Sequence, residues 1–411
     1  MKTVEGWQPR TLRQLALINY GRSPAGILAD EGQYPVVGTG GAERSGNEYL
    51  YDGDSIILGR KGTIDRVYFA TGKFWTIDTA YYLSGFADAL PRWLFYFLQT
   101  LDLRQMNEAT GVPSLSRELL YKIEVLTPPE PEQTKIAEIL LTVDRALEHT
   151  KALIAKQQRI KTGLMQDLLT RGIDADGNLR SEQTHKFKDS RLGRIPVEWD
   201  VESLDRCVRN DSPICYGILM PGAAHDNGVP VVKVRDIGGG KILQNGLLLT
   251  DPKIDRQYKR SRLREGDVLI TIRGTTGRIA MVPRELDGAN ITQDTARVRL
   301  KQEHSNYYFY FLLQSKGVQD QVSLHTVGQA VKGINIGDVK KIFFGLPKKN
   351  EQLAIAARLQ DIQTNLDNTD SQLGKLLSLK TALMQDLLTG KRRVTCLLDS
   401  EPKREKVYAT S

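Results

Sequence analysis

Two short stretches of this sequence hold the side chains best suited to chemistry: GRKGT at 59–63 and RGTTGR at 273–278. Glycine lets a backbone approach a phosphate closely. Arginine can bridge a phosphate or a guanine edge, and a threonine hydroxyl can donate to either. The candidate contacts are therefore Arg60, Lys61 and Thr63 in one stretch, and Arg273, Thr275, Thr276 and Arg278 in the other. Taken singly, either stretch reads better as an ordinary hairpin turn with exposed polar residues. Their occurrence twice, in equivalent places, is what raises the nucleic-acid reading. Asp78-Thr79 and Asp294-Thr295 either hydrogen-bond base edges or cap turns. Arg44, Lys233 and Arg235 are further candidates. Arg256, Lys259, Arg260, Arg262 and Arg264 form a dense basic run, with Arg260 and Arg262 as candidate phosphate contacts. Phosphate neutralisation there would make binding salt-sensitive; a solvated surface is the other reading.

Constellations for catalysis are missing from the sequence. The Gly-Gly-Gly-Lys at 238–241 lacks the spacing and the hydroxyl of a phosphate-binding loop. The sequence has no HExxH, and its five histidines are scattered. It also lacks the Asn-Pro-Pro-aromatic motif of amino-methyltransferases. Acid-x-Lys triplets such as Asp251-Pro-Lys253 have no nuclease context. Three cysteines without a CxxC pair exclude a disulfide scaffold and a cysteine-based zinc site. The residues describe a binding protein.

The elements that must position these side chains come from an internal repeat. KTGLMQDLLT at 161–170 matches KTALMQDLLT at 380–389 in nine of ten positions, an offset of 219 residues. Glu132-Gln133 and Ile136-Ala137 recur as Glu351-Gln352 and Ile355-Ala356 at the same offset. Further upstream the offset drifts but the landmarks keep their order. Trp7 pairs with Trp199, Pro35-Val36-Val37 with Pro230-Val231-Val232, and Gly53-Asp54 with Gly266-Asp267. Phe95–Leu98 pairs with Phe309–Leu312, and both read better as helix core than as base-stacking platforms. Each half is thus a variable mixed α+β domain followed by a well-matched helix.

Apolar residues recur along the helices at alternating four- and three-residue steps. The seam is Ile136, Leu140, Val143, Leu147, Thr150, Ile154, Gln157, Lys161, Leu164 and Leu168 in the first helix. In the second it is Ile355, Leu359, Ile362, Leu366, Thr369, Leu373, Leu376, Lys380, Leu383 and Leu387. That is a coiled-coil pattern. Forty residues give a rod of about 60 Å. The other copy is the obvious mate, with Thr150/Thr369 and Lys161/Lys380 as candidate register marks; the alternative is that each helix packs on its own domain. Charges leave the pairing direction open. Prolines at 128, 129 and 347 precede the helices, and Gly172 and Gly390 follow them as stops.

The chain has 411 residues and a formal net charge of +8, with 40% hydrophobic residues. That composition excludes wholesale disorder. No apolar run reaches the ~18–20 residues of a membrane span, and MKTVEGWQPR lacks the apolar core of a signal peptide. The expectation is a soluble cytoplasmic protein. Residues 1–128 carry 13 basic and 14 acidic residues, and residues 190–347 carry 23 and 17. If DNA is the ligand, the second stretch is expected to grip phosphate more strongly, and the first must bind with a local patch and not its mean charge.

This layout resembles the specificity subunits of type I restriction–modification systems. The carriers are the two P…EQ…IA…L helix starts at 128–140 and 347–359, the two LMQDLLT helix ends, the duplication, and the Gly-Asp/strand/Arg-Gly loops. The resemblance implies an α+β fold: two globular mixed α/β target recognition domains separated by a long antiparallel two-helix coiled coil. The expected divisions are 1–128, a spacer helix at 129–172, linker and second recognition domain at 173–347, a spacer helix at 348–390, and a tail at 391–411, which either packs near the N-terminus or, as the favoured reading, is partly disordered. It implies recognition of a bipartite, asymmetric site in double-stranded DNA. The helices would dock two methyltransferase subunits, joined by restriction subunits. S-adenosylmethionine, ATP and Mg would sit on those partners, with no cofactor, no metal and no catalytic residue in this chain. The competing class is a coiled-coil scaffold whose globular ends bind proteins.

Overall fold

A computed structural model describes residues 4–328 and 332–398. The chain forms two compact units, one of residues 1–152 with 371–411, the other of residues 153–370. Each unit takes one end of each long helix.

The first unit is built on a four-stranded antiparallel sheet in the order Leu17–Tyr20, Ala80–Ser84, Ser55–Gly59, Val67–Ala70. Ser55–Gly59 is central and buried throughout, which is why its sequence is a continuous apolar run and not an alternating one. A second sheet joins Gly41–Gly46, Tyr34–Gly38, Lys73–Thr76 and Tyr51–Asp52, with one parallel pair, Tyr34–Gly38 against Lys73–Thr76. Gln8–Thr11 pairs with Glu124–Thr127 and so brings the chain start beside the first long helix. The aromatic helix Pro91–Gln99 buries Trp93, Leu94, Tyr96 and Leu98 against the first sheet.

The second unit repeats this plan. Its four-stranded sheet runs Cys215–Tyr216, Thr295–Val298, Val268–Thr271, Ile279–Met281. Its smaller sheet again contains one parallel pair, Val229–Val232 with Asn290–Ile291. Asp200–Ser203 pairs with Phe343–Leu346 as Gln8–Thr11 does with Glu124–Thr127. Phe309–Leu312 are buried, so both aromatic runs are core.

The long helices are Glu130–Thr170 and Lys349–Leu388. Gly172 and Gly390 follow them with φ of 64° and 71°, the left-handed region that ends helices at little cost to glycine. In the first unit Ile136 and Leu140 share a core with Leu387. In the second, Leu168 shares a core with Ile355 and Leu359. Helix starts meet helix ends, so the pairing is antiparallel. Val143, Leu147 and Leu366 are buried as well, while Ile154, Leu164, Ile362, Leu373 and Leu383 are half-buried. Fully burying one such side chain contributes about 1.5–3 kcal/mol.

One expectation about the helices needs correction. The hydroxyls of Thr150 and Thr369 donate to the carbonyls of Ala146 and Asn365 in their own helices, so they mark no register. The lysines do: Lys161 donates to Gln363 at 2.6 Å, and Lys380 pairs with Asp144 at 2.6 Å. Gln363 and Asp144 are one repeat apart, so the same cross-helix contact is made once with an amide and once with a carboxylate. The described start of the tail packs near the N-terminus, one of the two readings expected of it. Val394 is buried in the first core, and the Arg393 guanidinium donates to the Glu5 carbonyl at 2.7 Å and to Glu132 at 2.7 Å. Residues 399–411 lie outside the described residues.

Candidate nucleic-acid interface

In the first domain the strand Ser55–Gly59 runs straight into the 60–63 loop. A Cβ on Gly59 would lie 2.0 Å from the Thr63 carbonyl oxygen, so only glycine fits. The amides of Arg60 and Lys61 donate to the Thr79 carbonyl at 2.9 and 3.1 Å. The Arg60 guanidinium donates to the Asp78 carbonyl at 3.0 Å. Asp78 and Thr79 thus support the loop through their backbone. Lys61, Thr63 and Asp78 are exposed, and Arg60 and Thr79 are half-buried.

A second loop leans on the first. The Gly62 amide donates to the Pro113 carbonyl at 2.9 Å, and the Leu115 amide to the Arg60 carbonyl at 2.9 Å. The Asn107 side chain closes this second loop by accepting from the amides of Ala109 and Ser114 at 3.1 and 2.9 Å.

The second domain has the same double loop. The amides of Ile272 and Arg273 donate to the Asp294 carbonyl at 2.8 and 3.3 Å. The Gly274 amide donates to the Lys332 carbonyl at 2.9 Å, and the Ile334 amide to the Ile272 carbonyl at 2.9 Å. The 107–114 loop and the described residues Lys332–Ile334 are therefore repeat counterparts that sequence reasoning missed. Their available signal was Gly111 and Gly328, each shortly before an apolar residue and a helix-capping Ser116 or Asn335. That signal is short and lies where the repeat offset drifts.

The remaining candidates divide by burial. Arg273, Thr275 and Arg278 are exposed; Thr276 is half-buried with its hydroxyl 3.3 Å from that of Thr326. Arg278 reaches across to the carbonyls of Val234 and Ile237, at 3.3 and 2.9 Å, and so stands beside the segment holding Lys233 and Arg235. These two arginines, the Gly238–Gly240 turn, Gln314 and Gln319 line one cavity. Arg44 is exposed on the strand Gly41–Gly46, outside the loop pair.

Two candidates are corrected by their surroundings. Thr295 is fully buried in the central sheet opposite Thr271, so its hydroxyl cannot reach a base. Arg262 donates through Nε to Asp255 at 2.8 Å, and Asp255 is fully buried and also accepts from Asn290 at 2.9 Å. That hydrogen bond raises the Arg262 pKa further and pairs its charge with a buried carboxylate. Arg256, Lys259, Arg260 and Arg264 of the same run remain exposed; Asp294 is half-buried. The seam residues Ile136, Leu140, Ile355, Leu359 and Leu387 are consumed by packing within the chain. The helices' outward apolar positions include Ile160 and Leu379, exposed by 44% and 47% and one repeat apart. Among the described residues, no group of His, Cys, Asp or Glu could hold a metal ion, and no helix is long and apolar enough to cross a membrane.

Comparison with known proteins agrees with this double architecture. Residues 4–157 and 227–377 match the type I restriction modification DNA specificity domain. The chain is 30% identical over 310 residues to the type I restriction enzyme EcoBI specificity subunit of Escherichia coli, a match covering 73% of this chain and 65% of that protein. It is 26% identical over 356 residues to the MjaVIII specificity subunit of Methanocaldococcus jannaschii, covering 84% of this chain and 78% of that protein. Its fold is similar to a crystal structure of a type I restriction–modification S subunit from M. genitalium, with a TM-score of 0.64 at 16% identity over 94% of this chain and 97% of the other.

Proposed function

Because the chain belongs to the family of type I restriction–modification DNA specificity subunits, we propose that each of its globular domains reads one half of a bipartite, asymmetric site in double-stranded DNA. The observation that carries this reading is the double loop, held by equivalent backbone hydrogen bonds in both domains but furnished with different side chains. A shared scaffold fixes where a domain meets DNA, and the loop residues decide what it reads. Base contacts specify while phosphate contacts position. Arg60, Lys61 and Thr63 serve the first half-site; Arg273, Thr275, Arg278 and the exposed Arg260 serve the second.

The paired helices would set the separation of the half-sites and dock two modification subunits, with Ile160 and Leu379 among the apolar positions such docking would cover. Restriction subunits would join that assembly. In this reading adenine methylation with S-adenosylmethionine, and translocation and cleavage with ATP and Mg, belong to the partners. This chain binds, orients and spaces the DNA, in the cytoplasm.

Base-resolution methylation mapping in cells with and without the gene tests the reading. One asymmetric motif should disappear on deletion; an unchanged methylome in a strain with an active system would refute it. Arg60→Ala and Arg273→Ala should each impair recognition of a different half-site, leaving the fold intact. Loss of about one good base contact corresponds to roughly ten- to a hundredfold weaker discrimination.

A further inference from the structure

The first domain carries no net positive charge, with 13 basic against 14 acidic residues over 1–128, so it must grip DNA with a local arrangement. One such arrangement lies beside its double loop. Tyr20 ends the edge strand Leu17–Tyr20 and keeps 45% of its surface exposed. The guanidinium carbons of Arg60 and Arg117 lie 5.0 and 4.9 Å from the centre of its ring. Tyr81 packs against the same ring at 5.2 Å and ties its own hydroxyl to the Leu115 carbonyl at 3.1 Å. The ring is thus anchored on the core side, with cations on it.

Neither arginine is neutralised. Among the described residues no carboxylate lies within ion-pair distance of Arg60. Arg117 has only Glu118, at 3.9 Å on its Nε, and that Nε is buried without a hydrogen bond. Arginine lying on aromatic rings is oriented at little electrostatic cost, because the ring face is negative. Arg60 spends one guanidinium N–H on the Asp78 carbonyl; its other donors and the planar fork of Arg117 can meet a pair of acceptors.

The arrangement is not part of the shared scaffold. A tyrosine recurs in the second domain, as Tyr216 before Gly217, where Tyr20 precedes Gly21. A Cβ on either glycine would fall 2.0 or 1.9 Å from a backbone carbonyl oxygen, that of Ile77 or Ile291. But Arg117, the residue after the capping Ser116, is replaced by Ile336 after the capping Asn335. The cation pair therefore distinguishes one domain from the other.

Building on the reading of this chain as a DNA specificity subunit, we propose that Arg60 and Arg117, positioned by Tyr20, form the acceptor-binding element with which the first domain contacts its half-site. Its ligand is a DNA acceptor pair, either the O6/N7 edge of a guanine or the oxygens of one phosphate. Arg117 is the specificity-determining residue it adds, and Tyr20 is a positioning residue that makes no base contact itself.

The test uses the chain assembled with its modification subunits, and a duplex library randomised in the first half-site. Methylation KM and kcat, the selected sequences and the salt dependence of binding are measured for wild type, Arg117→Ala, Arg117→Lys, Tyr20→Phe and Tyr20→Leu. Arg117→Ala should raise KM for DNA roughly ten- to a hundredfold with kcat nearly unchanged. Tyr20→Leu should follow it, and Tyr20→Phe, which keeps the ring, should match wild type. Relaxation at one guanine position identifies the base edge. A uniform loss across sequences with a salt slope lower by about one, largely restored in Arg117→Lys, identifies the phosphate. Wild-type KM and selection in both folded Arg117→Ala and Tyr20→Leu would overturn the proposal. So would a Tyr20→Phe variant as impaired as Tyr20→Leu. If the wild-type assembly itself selects no sequence, the specificity-subunit reading is what fails.

Discussion

Arg260 and Arg262 stand two positions apart in one basic run, yet their surroundings give them different work. Arg262 balances the buried Asp255, so Arg262→Ala leaves a carboxylate held only by Asn290. Leaving a buried acceptor short of partners costs about 1–3 kcal/mol. We expect a lowered melting temperature for Arg262→Ala and an unchanged one for Arg260→Ala, which should instead reduce the salt slope of DNA binding by about one. Equal melting temperatures would show that Asp255 finds another partner. His304 offers a pH test. Burial lowers its pKa below the ordinary 6.5, with its ring 5.4 Å from Phe309 and Glu303 the nearest carboxylate, at 3.8 Å. As pH falls through 6.5 the unfolded chain takes the proton first, so its contribution to stability is present above that value and lost below it. The slope is at most about 1.4 kcal/mol per pH unit for one proton. Denaturant midpoints between pH 7 and 5 should fall less steeply for His304→Phe than for wild type. At this scale the sequence located the 60–63 and 273–278 loops, because glycine and polar residues that follow an apolar strand mark a turn. It could not separate Arg260 from Arg262, or see that Thr295 faces inward, because burial is set by strand neighbours far along the chain.

The paired helices show what an element can and cannot declare in advance. Their heptad pattern is local and long, so the seam was legible residue by residue. Which polar seam positions matter was not. A threonine hydroxyl in a helix can reach its own carbonyl four residues back, and Thr150 and Thr369 do so. Lysine cannot be satisfied that way, so Lys161 and Lys380 cross to the other helix. Lys161 is the costlier of the two: desolvation lowers its pKa, and its direct partner is neutral. Gln363→Asp would give it the carboxylate that Lys380 already has in Asp144. We expect that substitution to raise the denaturant midpoint, and Asp144→Asn to lower it. A midpoint unchanged in both would show that the lysines contribute only packing.

At the scale of the whole molecule, each long helix is fastened at its start by an arginine from beyond the end of the other. Glu351 is bound by Arg180 and also accepts from the Trp199 indole at 3.2 Å and the Ile173 amide at 3.0 Å. Glu132 is bound by Arg393, whose guanidinium lies 5.8 Å from the Trp7 ring. Replacing Glu351 with alanine would leave Arg180, nearly buried, without its counter-charge, a cost of about 3–5 kcal/mol. Ending the chain at Gly390 removes Arg393 and Val394 from the first unit alone. Hydrogen exchange on that truncation should show residues 4–11 and 130–137 opening while the second unit keeps its protection; equal loss in both units would show that the two do not respond separately. The repeat predicted a duplicated fold and hence matching helix ends. It did not identify Arg180 and Arg393 as counterparts, because they sit at different distances from their helices.

By itself the sequence determined the duplication, the two long helices, the mixed domains between them and the family. These rest on periodicity and on identities between distant segments, which survive without coordinates. Tertiary structure decided which cations are free. Charge in a sequence is only a count; whether a guanidinium meets DNA or an internal carboxylate depends on which strands lie side by side. The same holds for the second loop of each domain, whose role comes from backbone hydrogen bonds to a loop about 50 residues earlier.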